Sequence, residues 1–371
     1  MSRFPTAEER WLRQGEALPK WNKKTICPLP FMAIHGDGPD LYSPCCYNKN
    51  PAYKKYKTIN EYFASPELKN LQENLIAGIK DKSCETCWHM EDAGITSMRQ
   101  EVSKDRLKHI DTPAIKQLQL QTGYTCNISC MMCNPGVSSN LNQLWKNTSM
   151  KKYNESWNIE KLTYCDDEET YIKNNKNDIE YIDVAGGEPL YNKRFLSLCE
   201  WLINQNVAKN ITLYITTNGT VMTDKMLKVF EKFKKITFIL SLEGIGPVND
   251  YIRWNSNFKI IEENFKKITK NFYHQVAHTT GALNIHRLQE VHDFANSYDS
   301  IIESTIVRRI PALLPKNCAS YLKSKVPTQF KKLIQEDGND TLLKNFIIAW
   351  DKQRKCSILD YMPEYKQLLK N

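Results

Sequence analysis

From residue 115 onward the chain repeats one pattern: a short apolar or alternating run, then a stretch with apolar residues at three- and four-residue steps. The runs fall at 118–121, 179–185, 211–217, 236–242, 275–280 and 303–307, with amphipathic stretches at 193–204, 224–233, 258–269 and 285–297. Alternation with period two marks half-buried strands, and the longer step marks helices. Strand followed by helix, repeated, predicts an α/β fold with parallel strands. Six strands are too few for a closed eight-stranded barrel, so the spacing predicts a partial (β/α)6 barrel with its chemistry at the carboxyl ends of the strands.

The segment 146–177 breaks the rhythm. It is polar, carries Asp166, Asp167, Glu168 and Glu169, and reads as a long surface loop inserted between the first two strands. Residues 1–110 are Cys-, Pro- and Gly-rich early and helical at 65–80, which predicts a separate metal-dependent module. Residues 111–310 carry the barrel, and 311–371 form a helical C-terminal extension with helical patterns at 329–335 and 342–353.

Composition adds little to this picture. With 41% hydrophobic and 25% charged residues in 371, the chain belongs to the ordinary globular class. The net charge of +9 suits an acidic partner, but the lysines are spread along the chain and read as solvated surface. No apolar run reaches the ~18 residues of a membrane span, and the start lacks the apolar core of a signal peptide. A cytoplasmic location with no membrane partner is the expectation.

The twelve cysteines change the picture more. In a reducing compartment, short asymmetric spacings favour metal or cluster ligation over disulfides. Cys165, Cys199, Cys318 and Cys356 are scattered outside such groups, and Cys199 lies on the apolar face of a helical pattern as a small hydrophobe. Directly after the first predicted barrel strand stands GYTCNISCMMCN, which spaces Cys126, Cys130 and Cys133 as C-x3-C-x2-C. Three thiolates on a four-iron cluster leave one iron open for chemistry. No histidine lies near this loop, which counts against zinc.

Three further runs fall in order at predicted strand ends: Gly186-Gly187-Glu188-Pro189, Thr216-Thr217-Asn218-Gly219 and Ser241-Leu242-Glu243-Gly244, with Arg253 following. Together with the cysteines they resemble the radical S-adenosylmethionine (SAM) superfamily over about 115–307. The resemblance implies a [4Fe–4S] cluster on Cys126, Cys130 and Cys133, with SAM on its open iron. It also implies that Gly186, Gly187, Glu188 and Pro189 receive the SAM amino group. Ser241 would then meet the ribose, Arg253 the carboxylate, and Asn218 would shape the pocket floor. Glu243 stands where the family has Asp, and Met132 where an aromatic residue is common. The implied reaction is reductive cleavage of SAM to a 5′-deoxyadenosyl radical, which abstracts hydrogen from a substrate.

Upstream, Cys27, the pair Cys45-Cys46, Cys84 and Cys87 supply four thiolates if one of the pair binds; spacing favours Cys45. The run Asp40 to Cys46 and the C-x2-C after a helix resemble the SPASM or twitch module, although that module usually follows the barrel. The resemblance implies an auxiliary [4Fe–4S] cluster, a peptide or protein substrate, and an electron donor such as flavodoxin or ferredoxin. A four-cysteine zinc site stays open as the alternative. Two other readings compete: modification of a nucleotide or RNA, for which Tyr42, Tyr47, Tyr53 and Tyr56 would be the warrant, and a non-catalytic zinc-binding protein. His274, His278, His286 and His292 read as core or surface rather than as acid–base groups, and Asn284 as a helix N-cap.

Overall fold

The computed structural model describes residues 24–36, 42–48, 56–92, 94, 96–146, 148–153 and 161–370. Asp40 and Tyr53 lie outside them. The fold is α/β, with a mostly parallel sheet of eight strands. Two compact units divide it, one within Met1–Leu120 and Cys165–Ile182, the other within Gln121–Tyr164 and Asp183–Asn371. No helix among the described residues is long and apolar enough to cross a membrane.

In the first unit, β1 (Ala33–Gly36) pairs antiparallel with β2 (Tyr42–Ser43) and parallel with β3 (Gln117–Gln121), Ile34 lying opposite Leu118. The sequence pattern anticipated β3 but neither β1 nor β2. A four-residue strand buried on both faces has no alternation to read. Helix Pro66–Ile76 begins at Ser65, whose hydroxyl accepts from the Leu68 amide, and buries Leu68, Leu71 and Leu75.

The inserted segment is not simply a loop. Residues Asp166–Asn174 form a helix whose first turn holds all four acids. Carboxylates favour the positive end of a helix, so a run that reads as solvated coil is a helix start. Glu168 and Glu169 are buried, and Lys173 pairs with Glu169 at 2.5 Å.

After β3 the strands follow in chain order: β4 (Ser129–Cys130), β5 (Tyr181–Ala185), β6 (Thr212–Thr217), β7 (Lys235–Ser241), β8 (Arg253–Trp254), β9 (Tyr273–Thr280) and β10 (Ile301–Ile306), of which β4 and β6 to β10 belong wholly to the second unit. The four long strands β6, β7, β9 and β10 run parallel in the order β10-β9-β7-β6. Helices Lys193–Asn204, Asp224–Phe230, Phe258–Asn271 and Leu288–Asn296 alternate with them, as the periodicity predicts. Phe195, Leu198, Cys199 and Leu202 are the buried face of the first of these. Val276 from β9 packs with Leu240, Ile261, Phe265 and Val291 beneath the helices. The C-terminal residues join a second core with Met131, Leu141, Trp145 and Tyr251, to which Phe346, Trp350 and Tyr365 contribute fully buried rings.

Candidate active site

The three cysteines of the C-x3-C-x2-C run meet in one loop of the second unit. Cys126 and Cys130 are buried with Ile128, and Met132 and the half-buried Cys133 pack against them. The loop is tied at several points. Ser139 Oγ accepts from the Cys126 amide and donates to its carbonyl, both at 3.1 Å, and Ser138 Oγ donates to the Ile128 carbonyl at 3.0 Å. β4 pairs antiparallel with β8, setting Cys130 opposite Arg253, and the Met131 amide donates to the Ile252 carbonyl at 3.0 Å.

Burial pushes all three thiols above their usual range; Cys133 and Cys126 raise Cys130 further, and Cys126 raises Cys133. Such a trio ionises only against a positive charge, which iron supplies. Arg253 favours thiolate at each of them. Asn218 Nδ2 lies 4.0 Å from Cys126 Sγ as a donor and 3.0 Å from Asn127 Oδ1, so Asn218 meets a cluster-loop sulfur as well as closing its own strand end.

The diglycine after β5 admits the chain itself. A Cβ on Gly187 would fall 2.1 Å from the Thr125 carbonyl oxygen, and Gly186, at φ +131°, is crowded by Thr122 and Gly123. The Gly187 amide donates to Gly123 O at 2.7 Å and Glu188 N to Thr125 O at 2.9 Å, locking this turn onto the start of the cysteine loop. Glu188 is 1% exposed. Its Oε1 accepts from Leu190 N at 3.0 Å and Thr217 Oγ1 at 2.7 Å, and Oε2 accepts from Asn218 N at 2.7 Å. Burial raises its carboxyl, and these donors pull it back. An ionised carboxylate has about four acceptor sites, so one on Oε2 remains for a further donor.

Ser241 closes β7 opposite Ala277, and Pro189 is buried at the start of the turn after β5. Glu243 and Arg253 form a direct ion pair, with side chains 2% and 9% exposed. Burial alone would lower the Arg253 guanidinium, but Cys130 and Glu243 raise it above its ordinary value. Asn284 does not cap its helix by side chain. Instead its Oδ1 accepts from Gly281 N at 2.7 Å, and its Nδ2 donates to the Glu243 and Thr279 carbonyls, each at 3.0 Å. Asn284 thus staples the ends of β7 and β9. His278 is core, as expected, its Nδ1 2.8 Å from the Leu242 carbonyl. Asn127, Ser138 and Ser139 escaped the sequence reading, since a small polar residue beside a motif has no distinguishing pattern.

In the first unit, Cys27, Cys45, Cys84 and Cys87 influence one another electrostatically. Burial raises Cys27, and Cys84 and Cys87 raise it further; Cys45 is likewise raised by burial and then by Cys46, Cys27 and Cys84. Asn48 Nδ2 donates to Cys84 Sγ at 3.8 Å, and backbone groups at Leu29, Tyr47 and Arg99 favour thiolate at Cys27, Cys45 and Cys87. Cys45 is half-buried, whereas Cys46 is exposed. Among the described residues no group of three or more His, Cys, Asp or Glu side chains stands at the spacing of a single bound ion.

Residues 120–298 match the family model for the Radical SAM superfamily. This stretch, just under half of the chain, is similar to a Radical SAM domain. Comparison with curated proteins gives no match. Among solved structures the chain is similar to anSMEcpe with bound AdoMet, at 17% identity and a TM-score of 0.40, over 52% of this chain and 50% of that one. It is also similar to Streptococcus suis SuiB bound to S-adenosylmethionine, at 15% identity and 0.39, over 80% and 65%. A third is TsrM from Kitasatospora setae, a radical S-adenosylmethionine methyltransferase, at 10% identity and 0.36, over 56% and 39%. The chain spans about half the length of the first of these structures.

Proposed function

We propose that the chain reductively cleaves SAM at a [4Fe–4S] cluster held by Cys126, Cys130 and Cys133 and abstracts hydrogen from a peptide or protein. The observation that carries this reading is the loop itself: three thiols raised by burial, each influenced by Arg253, in a loop bound through backbone to the turn at Gly187. When bound, cluster and SAM supply a 5′-deoxyadenosyl radical. The chain's own residues do the rest. Glu188 keeps one acceptor site for the SAM ammonium, Arg253 turns its remaining donors to the carboxylate, and Gly186, Pro189, Asn218, Ser241 and Glu243 complete the pocket at the strand ends. Enclosure by the partial barrel keeps water and other hydrogen donors from the substrate.

Residues 1–110 are read as a SPASM- or twitch-like module whose Cys27, Cys45, Cys84 and Cys87 hold an auxiliary [4Fe–4S] cluster. Neighbouring groups that favour thiolate at each sulfur suit this role, and the greater burial of Cys45 supports it over Cys46 as the ligand. A peptide or protein substrate agrees with the peptides bound in the solved structures, precursor peptide SuiA in SuiB and the Kp18Cys peptide in anSMEcpe. A flavodoxin or ferredoxin would supply the electron.

The test is 5′-deoxyadenosine formation by the anaerobically reconstituted chain with SAM and dithionite. Turnover above the protein-free control is the expected result, and its absence in iron-loaded protein would defeat the reading. RNA retention that falls with salt would instead favour a nucleic-acid substrate.

A further inference from the structure

The C-terminal helix Asp340–Arg354 lies beyond the residues that match the family model, yet it reaches both flanks of the cysteine loop. On one flank, Trp350 packs edge-on against Trp145, 5.6 Å between centroids, and Gln353 Nε2 donates to the Leu144 carbonyl at 2.8 Å. Leu144 and Trp145 end the helix Ser139–Trp145 that leaves the loop.

On the other flank, the buried Arg354 guanidinium stands 4.3 Å from the Tyr251 ring centroid, 4.5 Å from Trp254 and 4.6 Å from Trp350. Its Nη1 donates to the Tyr251 carbonyl at 2.8 Å. Asp351 completes the knot, its Oδ1 accepting from the Tyr251 hydroxyl and its Oδ2 from the Ile358 amide, both at 2.8 Å. The residues held are the immediate neighbours of Arg253. Ile252 accepts from Met131 N, and β8 pairs with Ser129 and Cys130.

A buried cation is an expensive way to fill space, because an apolar side chain would do so without desolvation. Three ring faces, a carbonyl and the Asp351 carboxylate, 3.4 Å from Nη2, offset that cost only in one geometry, so the guanidinium specifies direction as well as volume. We infer that Arg354 is a positioning residue for the cluster loop. It fixes the Tyr251 carbonyl and the Trp254 ring, and through the β4–β8 pairing it sets where Cys130 and Arg253 stand. This inference rests on reading Cys126, Cys130 and Cys133 as cluster ligands.

Full-length R354M and R354K, reconstituted anaerobically, test it through iron per chain, Tm, SAM affinity, and the electron paramagnetic resonance of the dithionite-reduced protein with and without SAM. R354M is expected to keep its iron, lose the SAM-induced change in line shape, and bind SAM about 10–100-fold more weakly. R354K keeps a donor but lacks the planar stack, so it recovers part of both. A lowered Tm with wild-type line shape and SAM affinity would overturn the inference and leave Arg354 a purely structural residue. If R354M does not fold, R354K alone carries the same two outcomes. The triple alanine variant of Cys126, Cys130 and Cys133 separates the two readings: a SAM-responsive signal surviving there refutes the cluster assignment rather than the role of Arg354.

Discussion

Removing the Arg253 charge should cost stability and SAM binding separately, and a second substitution should pull the two apart. Both partners of the Arg253–Glu243 pair are almost fully buried. Two unit charges about 4 Å apart attract by about 4 kcal/mol at an effective dielectric near 20. Breaking one side of a buried pair typically costs about 3–5 kcal/mol, because the other charge is left without compensation. R253M should therefore lose that amount, as should E243M, which leaves the guanidinium beside the three thiols. The double variant R253M/E243M replaces both charges with matched apolar volume and should recover most of it, since such replacements are often neutral. SAM affinity should not recover, because the carboxylate partner is gone in every variant lacking Arg253. The assay is anaerobic equilibrium denaturation of the full chain, read by tryptophan fluorescence, with SAM binding measured on reconstituted protein. Trp145, Trp254 and Trp350 all lie in the unit that carries the pair. A cost within about 0.5 kcal/mol for R253M, or a double variant as unstable as the two single losses summed, would refute the reasoning.

Other consequences follow from the same geometry. G187A should give little soluble protein, because the new Cβ meets the Thr125 carbonyl at 2.1 Å and the main chain must move; a wild-type yield and Tm would contradict the close approach. Exchanging Cys45 for alanine should remove the proposed N-terminal cluster, about four irons, while C46A keeps them; equal losses in both, or a zinc content in place of iron, would count against the ligand set. Burial opposes ionisation of Glu364, but hydrogen bonds from His286 and Arg287 outweigh it and hold the carboxyl at about 2. Its folded value lies below the unfolded one, so the stability it contributes is present above about pH 4.5 and is lost as pH falls towards 2. Denaturation midpoints of wild type should fall across that window more steeply than those of E364Q, and parallel curves would show that the pairing contributes nothing.

The strands and helices of the second unit were legible because their burial alternates at the periods of the two structures. Leu240 and Val276 face one layer while their neighbours face the other, and Lys193–Asn204 buries Phe195, Leu198, Cys199 and Leu202 on one side. The helix Asp166–Asn174 was not legible, because its four leading acids look like solvated loop although two of them are buried. Within the site, the cysteines and the diglycine were visible as types and spacings, but what they touch was not. Gly187 looks like an opening for a ligand and is crowded by Thr125. Glu243 and Arg253, ten positions apart, read as two separate contacts and are a single ion pair. Arg354 had no signature at all: one arginine on a helix becomes informative only when Tyr251 and Trp254, about a hundred positions away, join Trp350 of its own helix around it.

The central claim is that Cys126, Cys130 and Cys133 hold the cluster at which SAM is cleaved. Iron counting after anaerobic reconstitution of wild type and the triple alanine variant, with 5′-deoxyadenosine measured in both, tests it most directly. The variant should hold about four fewer irons, keep the N-terminal cluster, and form no 5′-deoxyadenosine. An unchanged iron count, or continued cleavage of SAM without those three thiols, would contradict the account.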